Sequence, residues 1–469
     1  MSPQPIDRRQ LGQATLGASF AFLFPSEKMF AAGPLRVGLF SVEVSAPLGH
    51  PCMGGGISPV ATYDDPLEAK GIVFVSGDQP PVVAVSVDWC EIRHDAHDAW
   101  RKAIASAVGT TTERVLVSSV HQHDAPVADL RAEAILKKAG AKGSVCFPEF
   151  HGETVQRVAR AAKESLKDLK IVDGIAASRA EVIGVSSNRR TVDSMGRARF
   201  DRGSTTRDAE LRNADVGVID PDVAMISFES GKKTIAAMFC YATHPMSRYG
   251  KGAVSADFPG IARRMVERAH PGLHAMYFSG CSGNVTAGKF NDGAPDKRMI
   301  LAKSLADGMS RALATAKPIP VSPMRFDSVP YSLVFRDTPG FETQTLEGKL
   351  GSARSFDQCL AAMGLSARER LARPLDLPVI DFGGAAFLLA PGESYVEYQL
   401  YAKSLRPNSV VLCAGYGESV TGYVPTEKAW TEKDSNLGDW CWVAPGSEKK
   451  LKAAIERALL PESVRGKGR

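Results

Sequence analysis

Residues 82–87 (Val-Val-Ala-Val-Ser-Val) and 115–120 (Val-Leu-Val-Ser-Ser-Val) constrain the fold more than any other feature of the chain. Both are nearly continuous in apolar or small residues, the pattern of strands buried on two faces. Such strands need a covering layer on either side, which amphipathic helices supply. Further strands are expected at 71–76, 234–241, 275–279, 387–390 and 410–413. Helices are expected at 97–107, 150–169, 260–269 and 297–315, each with apolar residues at three- and four-residue spacing. The expected class is α/β (α+β), a layered mixed β-sheet core flanked by helices. No internal repeat or low-complexity tract is visible. Prolines spaced through 318–330 are compatible with a sub-domain joint.

At about 150 residues per domain, 469 residues allow three domains or one large one. With 44% hydrophobic and 23% charged residues, the chain is neither disordered, collagenous nor coiled coil. No apolar run approaches the ~20 residues of a membrane span, so no transmembrane segment is expected in the mature protein. Residues 1–33 carry +1 and residues 464–469 carry +3 of the net +5, leaving +1 on the body. That is no electrostatic footprint for nucleic acid.

Residues 1–33 read as an address. Arg8-Arg9 precede an apolar stretch, 11–24, softened by Gly12, Gln13, Thr15 and Ser19, and Ala31-Ala32 offer a cleavage region. This resembles a twin-arginine export signal, and predicts a periplasmic or extracellular protein; a frayed N-terminal helix is the alternative. Export in the folded state would suit an enzyme that takes up its metal first. The catalytic body is then 34–469. Eight cysteines, none in a CxxC pair, exclude a zinc ribbon, and Cys90, Cys240 and Cys413 fall in apolar strands as buried thiols.

The strongest local signal for chemistry is the end of the 115–120 strand, His121-Gln122-His123-Asp124. Alternate side chains of a strand share a face, so His121 and His123 project together where open α/β sheets bind ligands. Two imidazoles so placed are metal ligands, or one ligand beside an acid/base; otherwise they are hydrogen-bonded loop histidines. His244 ends another strand, before Pro245, and is structural unless it joins a metal. The loop from Gly280 to Thr286 lets backbone approach a ligand and offers amides to an oxyanion. Pro391-Gly392 places Glu393 at a strand end, where it completes a zinc site or starts a helix. Tyr423 stands between Gly422 and Val424-Pro425, where a core role is not obvious. Glu91, His94, Asp95, His97 and Asp98 mimic a metal cluster, but beside Arg93 they read as a solvated helix start.

Taken in order, these motifs resemble the catalytic domain of neutral (neutral/alkaline, non-lysosomal) ceramidases, which are zinc-dependent amidases. The matching pieces are Val37-Gly38, Pro47-Leu48-Gly49, Asp65-Pro66-Leu67, His121-Gln122-His123-Asp124-Ala125-Pro126 and Asn188-Arg189. They continue with His244, the glycine loop through Thr286, Pro391-Gly392-Glu393 and Tyr423-Val424-Pro425-Thr426. The resemblance implies that His121, His244, Glu393 and Tyr423 hold Zn2+. It makes His123 the acid/base histidine and Arg189 a substrate contact. Gly283, Asn284 and Thr286 occupy the family's Gly-Asp-Val-Ser-Pro-Asn-like motif, here Gly283-Asn284-Val285-Thr286-Ala287-Gly288, with threonine for the serine assigned as nucleophile. A second family tyrosine, twelve residues past the zinc-binding one, is Ser435 here. The 46 residues after Tyr423 are too few for the family's immunoglobulin-like C-terminal domain.

The expected function is hydrolysis of a carboxamide (N-acyl) bond in a small or lipid-like, sphingolipid-type substrate by metal-activated water. His123 would move the proton, and the 280–283 amides or Thr286 would hold the oxyanion. Thr286 as nucleophile is the second mechanism. The rival functions are an amidohydrolase-type metal enzyme, which needs an eightfold βα repeat, and a non-catalytic lipid- or glycan-binding protein on the same fold. Oligomeric state is not readable from the sequence.

Overall fold

The computed structural model of the protein describes residues 33–320 and 323–461, so the proposed export signal lies outside the described residues except for Gly33. Three larger sheets make up the body. The first runs in the order Val115–Ser119, Val82–Val87, Glu68–Ser76, Leu35–Glu43, Lys170–Ile171. The second runs His274–Ser279, Lys233–Tyr241, Asp222–Ser230, Gly174–Glu181, Lys317–Pro318. The third runs Arg325–Tyr331, Leu375–Asp381, Ala385–Leu389, Val410–Ala414. Open mixed sheets and no closed barrel among the described residues exclude the amidohydrolase-type architecture.

The two apolar strands are buried at every position. Val83, Val85, Val115 and Val117 face the helices His94–Val108 and Pro148–Ser165, while Val82, Ala84 and Leu116 face inward. That inner core is shared by all three sheets. Phe74 from the first, Phe228 from the second and Phe382 beside the third meet there, with ring centroids 5.2, 5.6 and 5.4 Å apart. Each such aromatic contact contributes about 0.5–1.5 kcal/mol beyond its buried area. Helices Asp257–Ala269 and Lys297–Ala314 cover the outer face of the second sheet. Helices Val396–Leu405 and Ser447–Leu459 pack on the third.

Each larger sheet carries one parallel pair at an edge: Val82–Val87 with Val115–Ser119, Lys233–Tyr241 with His274–Ser279, and Ala385–Leu389 with Val410–Ala414. These edges are stitched at their C-terminal ends. Ser119 N–H donates to Tyr416 O (2.9 Å), Ser279 Oγ to Val120 O (2.7 Å), and Gly415 N–H to Ser279 O (2.9 Å). Six strand ends therefore open toward one place.

Two sequence readings change. The helix start near Arg93 is not solvated: Arg93 is wholly buried, bonded to Glu91 (2.9 Å) and Asp129 (3.0 Å), and His94 Nδ1 lies 3.1 Å from Ser366 Oγ. These charges tie three helices together, and they do not form one of the possible metal-ligand groups among the described residues. The proline-spaced stretch is not a joint between separate cores. Lys317–Pro318 pairs at the edge of the second sheet, Ile319 packs on the shared core, and Arg325–Tyr331 is the edge strand of the third. Pro330 is tolerated there because an edge strand leaves one side unpaired. All eight cysteines are buried free thiols.

Candidate metal centre

His121 leaves the first sheet in a left-handed conformation, φ +76°, after its N–H bonds Trp89 O (2.9 Å). This turns the imidazole inward, against the face of Tyr416 at 4.4 Å. His244 leaves the second sheet with its N–H on Val285 O (3.0 Å). Glu393 follows the strand Ala385–Leu389 through Gly392, φ +37°, and its N–H bonds Gly422 O (2.9 Å). All three side chains are buried.

The hydrogen bonds assign the tautomers. His121 Nδ1 lies 2.9 Å from Cys90 O, and His244 Nδ1 lies 2.6 Å from Ser282 O. A carbonyl only accepts, so each Nδ1 carries a proton, which leaves Nε2 as the nitrogen that a cation would take. Both Nε2 atoms point at one carboxylate oxygen, Glu393 Oε2, at 3.4 Å from His121 and 2.9 Å from His244. Three acceptors thus meet within 4.8 Å of one another in a buried place. They repel unless a proton or a cation sits among them, and two imidazole nitrogens with a carboxylate oxygen are a donor set that suits Zn2+.

The electrostatics agree with that tension. Burial alone would raise the Glu393 carboxyl, but His121 and His244 outweigh it and hold it well below the carboxylate range. Burial, reinforced by Arg189, pushes His244 down to about 4. Burial also opposes charge on His121, yet Cys90 and Glu393 raise it well above its ordinary value.

Tyr423 is the ladder partner of Glu393, which sets the two side by side. Its hydroxyl accepts from Arg189 Nη1 (2.7 Å), and Arg189 also donates to Asn436 Oδ1 (2.8 Å). Burial keeps the phenol above its ordinary range, with Arg189 pulling the other way. His123 is half-buried, its ring 5.2 Å from His121 and 6.3 Å from His244. Its Nδ1 is buried without a partner. Burial, with His121 and His244 nearby, lowers its pKa well below the ordinary value, so the ring is neutral.

The glycine loop does something other than the sequence predicts. The N–H groups of Gly280, Cys281 and Gly283 are already bonded to Tyr241 O (2.8 Å), Gln399 Oε1 (2.9 Å) and Ser394 O (3.0 Å). They are not free for an oxyanion. Gly283 is glycine because a Cβ there would lie 2.2 Å from Glu393 O, so the loop packs directly on the backbone of the carboxylate. The Asn284 side chain, expected to contact substrate, is engaged at both ends. Its Nδ2 donates to Glu397 Oε2 (2.9 Å), and its Oδ1 accepts from Val396 N–H (2.9 Å) at the start of a helix. Thr286 bridges to His244 through backbone, and its hydroxyl is buried with no partner.

The sequence reading missed Tyr416. This residue, φ +56°, stacks on His121, and its hydroxyl lies 2.7 Å from Ser282 Oγ and 3.5 Å from His244 Nδ1. The signal was present: an aromatic between Gly415 and Gly417 at the end of an apolar strand, the same pattern as Tyr423. Cys90 and Ser282 were missed as the carbonyl acceptors that orient the two histidines, because a backbone oxygen leaves no trace in residue type.

No family model matches the sequence, and no curated protein matches it. Solved structures do. The crystal structure of neutral ceramidase from Pseudomonas aeruginosa superposes with a TM-score of 0.67 at 16% identity, covering 91% of this chain and 75% of that one. A ceramidase complexed with C2 matches with the same TM-score and coverage at 15% identity. The protein has a neutral-ceramidase-like fold.

Proposed function

We propose that this protein is a zinc-dependent hydrolase of a carboxamide (N-acyl) bond, acting on a small or lipid-like substrate. The observation that supports the reading best is the meeting of two Nε2 atoms and one carboxylate oxygen, with both Nδ1 protons engaged by backbone carbonyls. His121, His244 and Glu393 would hold the ion, with the Tyr423 hydroxyl beside them. When bound, zinc supplies a Lewis acid for the scissile carbonyl and lowers the pKa of water.

The chain's own residues supply the rest. Arg189 orients the Tyr423 hydroxyl through its 2.7 Å bond. His123, with Nδ1 unpartnered, would take a proton from the attacking water at that nitrogen and return it to the leaving amine as the C–N bond breaks. The unpartnered Thr286 hydroxyl is the donor proposed for the carbonyl oxygen, since the amides of Gly280, Cys281 and Gly283 are bonded elsewhere. In this reading residues 1–33 are a twin-arginine signal, 34–469 the catalytic domain, and the protein works in the periplasm or outside the cell. Among the described residues no helix is long and apolar enough to cross a membrane.

Elemental analysis of purified protein, joined to an amidase screen over N-acyl sphingoid bases and N-acyl amino acids, tests the reading. About one zinc per chain and hydrolysis of one class are expected. His244→Ala removes a buried ligand and should lose both zinc and activity. Full zinc occupancy in that variant would show the ligand set to be wrong.

A further inference from the structure

The segment between His244 and the short strand Ala253–Val254 carries a tyrosine for which the proposed mechanism has no use. Tyr249 is 38% exposed, and its ring packs edge-on to His123 at a centroid distance of 4.8 Å. Large exposed aromatics are ordinarily free to move. This one is held by its backbone on both sides.

On the N-terminal side, Ser247 is locked. Its N–H donates to Asp257 Oδ2 (3.0 Å), its hydroxyl bonds the same carboxylate, and its carbonyl accepts from Asn291 Nδ2 (2.9 Å). On the C-terminal side, the buried carboxylate of Asp124 accepts the N–H groups of Gly250 (3.0 Å) and Gly252 (3.2 Å). Both glycines have positive φ, +100° and +69°, and a Cβ on Gly252 would lie 1.9 Å from Pro59 O. Arg298 Nη2 donates to Arg248 O (2.6 Å) between the two anchors. Arg248 and Tyr249 form the exposed tip between the anchors. Asp124 is also the residue after His123, so one short segment supplies the acid/base imidazole and the clamp that sets a ring against it.

Burying two carboxylates to fix a two-residue tip is costly unless the ring's position matters. We infer that Tyr249 is a specificity-determining residue that contacts the amine half of the substrate, and that Asp124 is its positioning residue. The inference rests on the amidase reading for its direction. A histidine that protonates the leaving nitrogen stands beside that nitrogen's substituent, and Tyr249 touches His123. The exposed ring then offers an apolar and aromatic surface to that substituent, not to the acyl chain.

Two amide series test this: one acyl group with amines from methylamine to phenethylamine, and one amine with acyl chains of increasing length. In Tyr249→Ala, the kcat/KM ratio between phenethyl and methyl amides should fall about fivefold to tenfold, while the ratio between long and short acyl chains holds. Tyr249→Phe should restore the amine ratio, and Asp124→Ala should mimic Tyr249→Ala. Equal losses in both series, or no loss in either, overturn the assignment. Calorimetric binding of N-phenethylacetamide to the zinc-free protein gives a readout that needs no turnover. Affinity about fivefold to tenfold weaker in Tyr249→Ala supports the contact; equal affinity, or no binding to either protein, overturns it. A protein without zinc or amidase activity would sink the hydrolase reading, and the calorimetric comparison would still decide the role of Tyr249.

Discussion

Gly283→Ala separates two explanations of the glycine loop. The added Cβ would lie 2.2 Å from Glu393 O, 2.8 Å from Tyr395 Cδ1 and 3.0 Å from Glu393 C. The nearest of these is backbone and cannot swing aside. Ordinary contact starts near 3.4 Å, so loop and strand must part by roughly 1 Å, at a cost of about 1–3 kcal/mol for overpacking. The strain falls on the metal centre, because the loop carries Ser282, whose carbonyl orients His244, and the strand carries Glu393. Zinc affinity should therefore drop about 10- to 100-fold, the scale for disturbing groups that orient ligands. Competition with a chromophoric chelator measures this, with thermal unfolding alongside. Gly152→Ala is the control: it lies in the helix Pro148–Ser165 with nothing within 4 Å, and should gain about 0.5–1 kcal/mol. If Gly283→Ala keeps wild-type zinc affinity and loses only kcat, the loop is an oxyanion cradle after all and the packing argument fails.

Thr286→Ala should lower kcat about 10²–10³-fold if its hydroxyl is an oxyanion donor, and Thr286→Ser should recover activity to within a few-fold. An acyl adduct on Thr286, seen by mass spectrometry with a slow substrate, would make it the nucleophile instead. His50 predicts an acid-sensitive core. Its Nδ1 lies 2.8 Å from Pro51 O and its Nε2 accepts from Phe147 N–H (3.3 Å), so the ring must be neutral, and burial lowers its pKa to about 4. A histidine lowered on folding stabilises above the unfolded value of 6.5 and loses that contribution as pH falls toward the folded value, on the order of 3 kcal/mol when complete. Urea unfolding from pH 7.5 to 4 should show this limb flattened in His50→Gln; parallel curves would refute it.

The candidate ligands were legible because buried parallel strands read as apolar runs, and a histidine or glutamate just past such a run stands out. His121, His244 and Glu393 are all of this kind. Antiparallel strands with one face between sheets were not. Gly174–Glu181 reads Gly-Ile-Ala-Ala-Ser-Arg-Ala-Glu, too small and polar to signal burial. The helix Ser355–Leu371 was hidden because its packed face uses Ala361, Ala362 and Gly364, small where Trp442 and Leu346 come close. The charges near Arg93 misled because their partners, Asp129 and Ser366, lie 36 and 272 residues from Arg93 and His94. Glycine in the 280–283 loop was ambiguous by nature. It permits close approach, but whether of a ligand or of the chain itself is decided by tertiary contact.

Two of the six non-glycine residues with positive φ among the described residues, His121 and Tyr416, stack on each other at this centre, and a third, Asp257, anchors the loop that holds Tyr249. Residues held this way cost about 1–3 kcal/mol each and persist only where surrounding structure over-determines them. The stitching of the parallel pairs does so, through Ser119 N–H on Tyr416 O and His121 N–H on Trp89 O. The repulsion among the three acceptors eases when a cation or a proton occupies the point they face. Neither strain nor repulsion fixes what is hydrolysed. The candidate ligands come from the strand ends of the three sheets, whereas Tyr249 and Asp124 come from the connections beyond them. Such connections can change while the strand ends stay the same, so in the proposed reading the centre would carry the chemistry and the Tyr249 loop the choice of substrate.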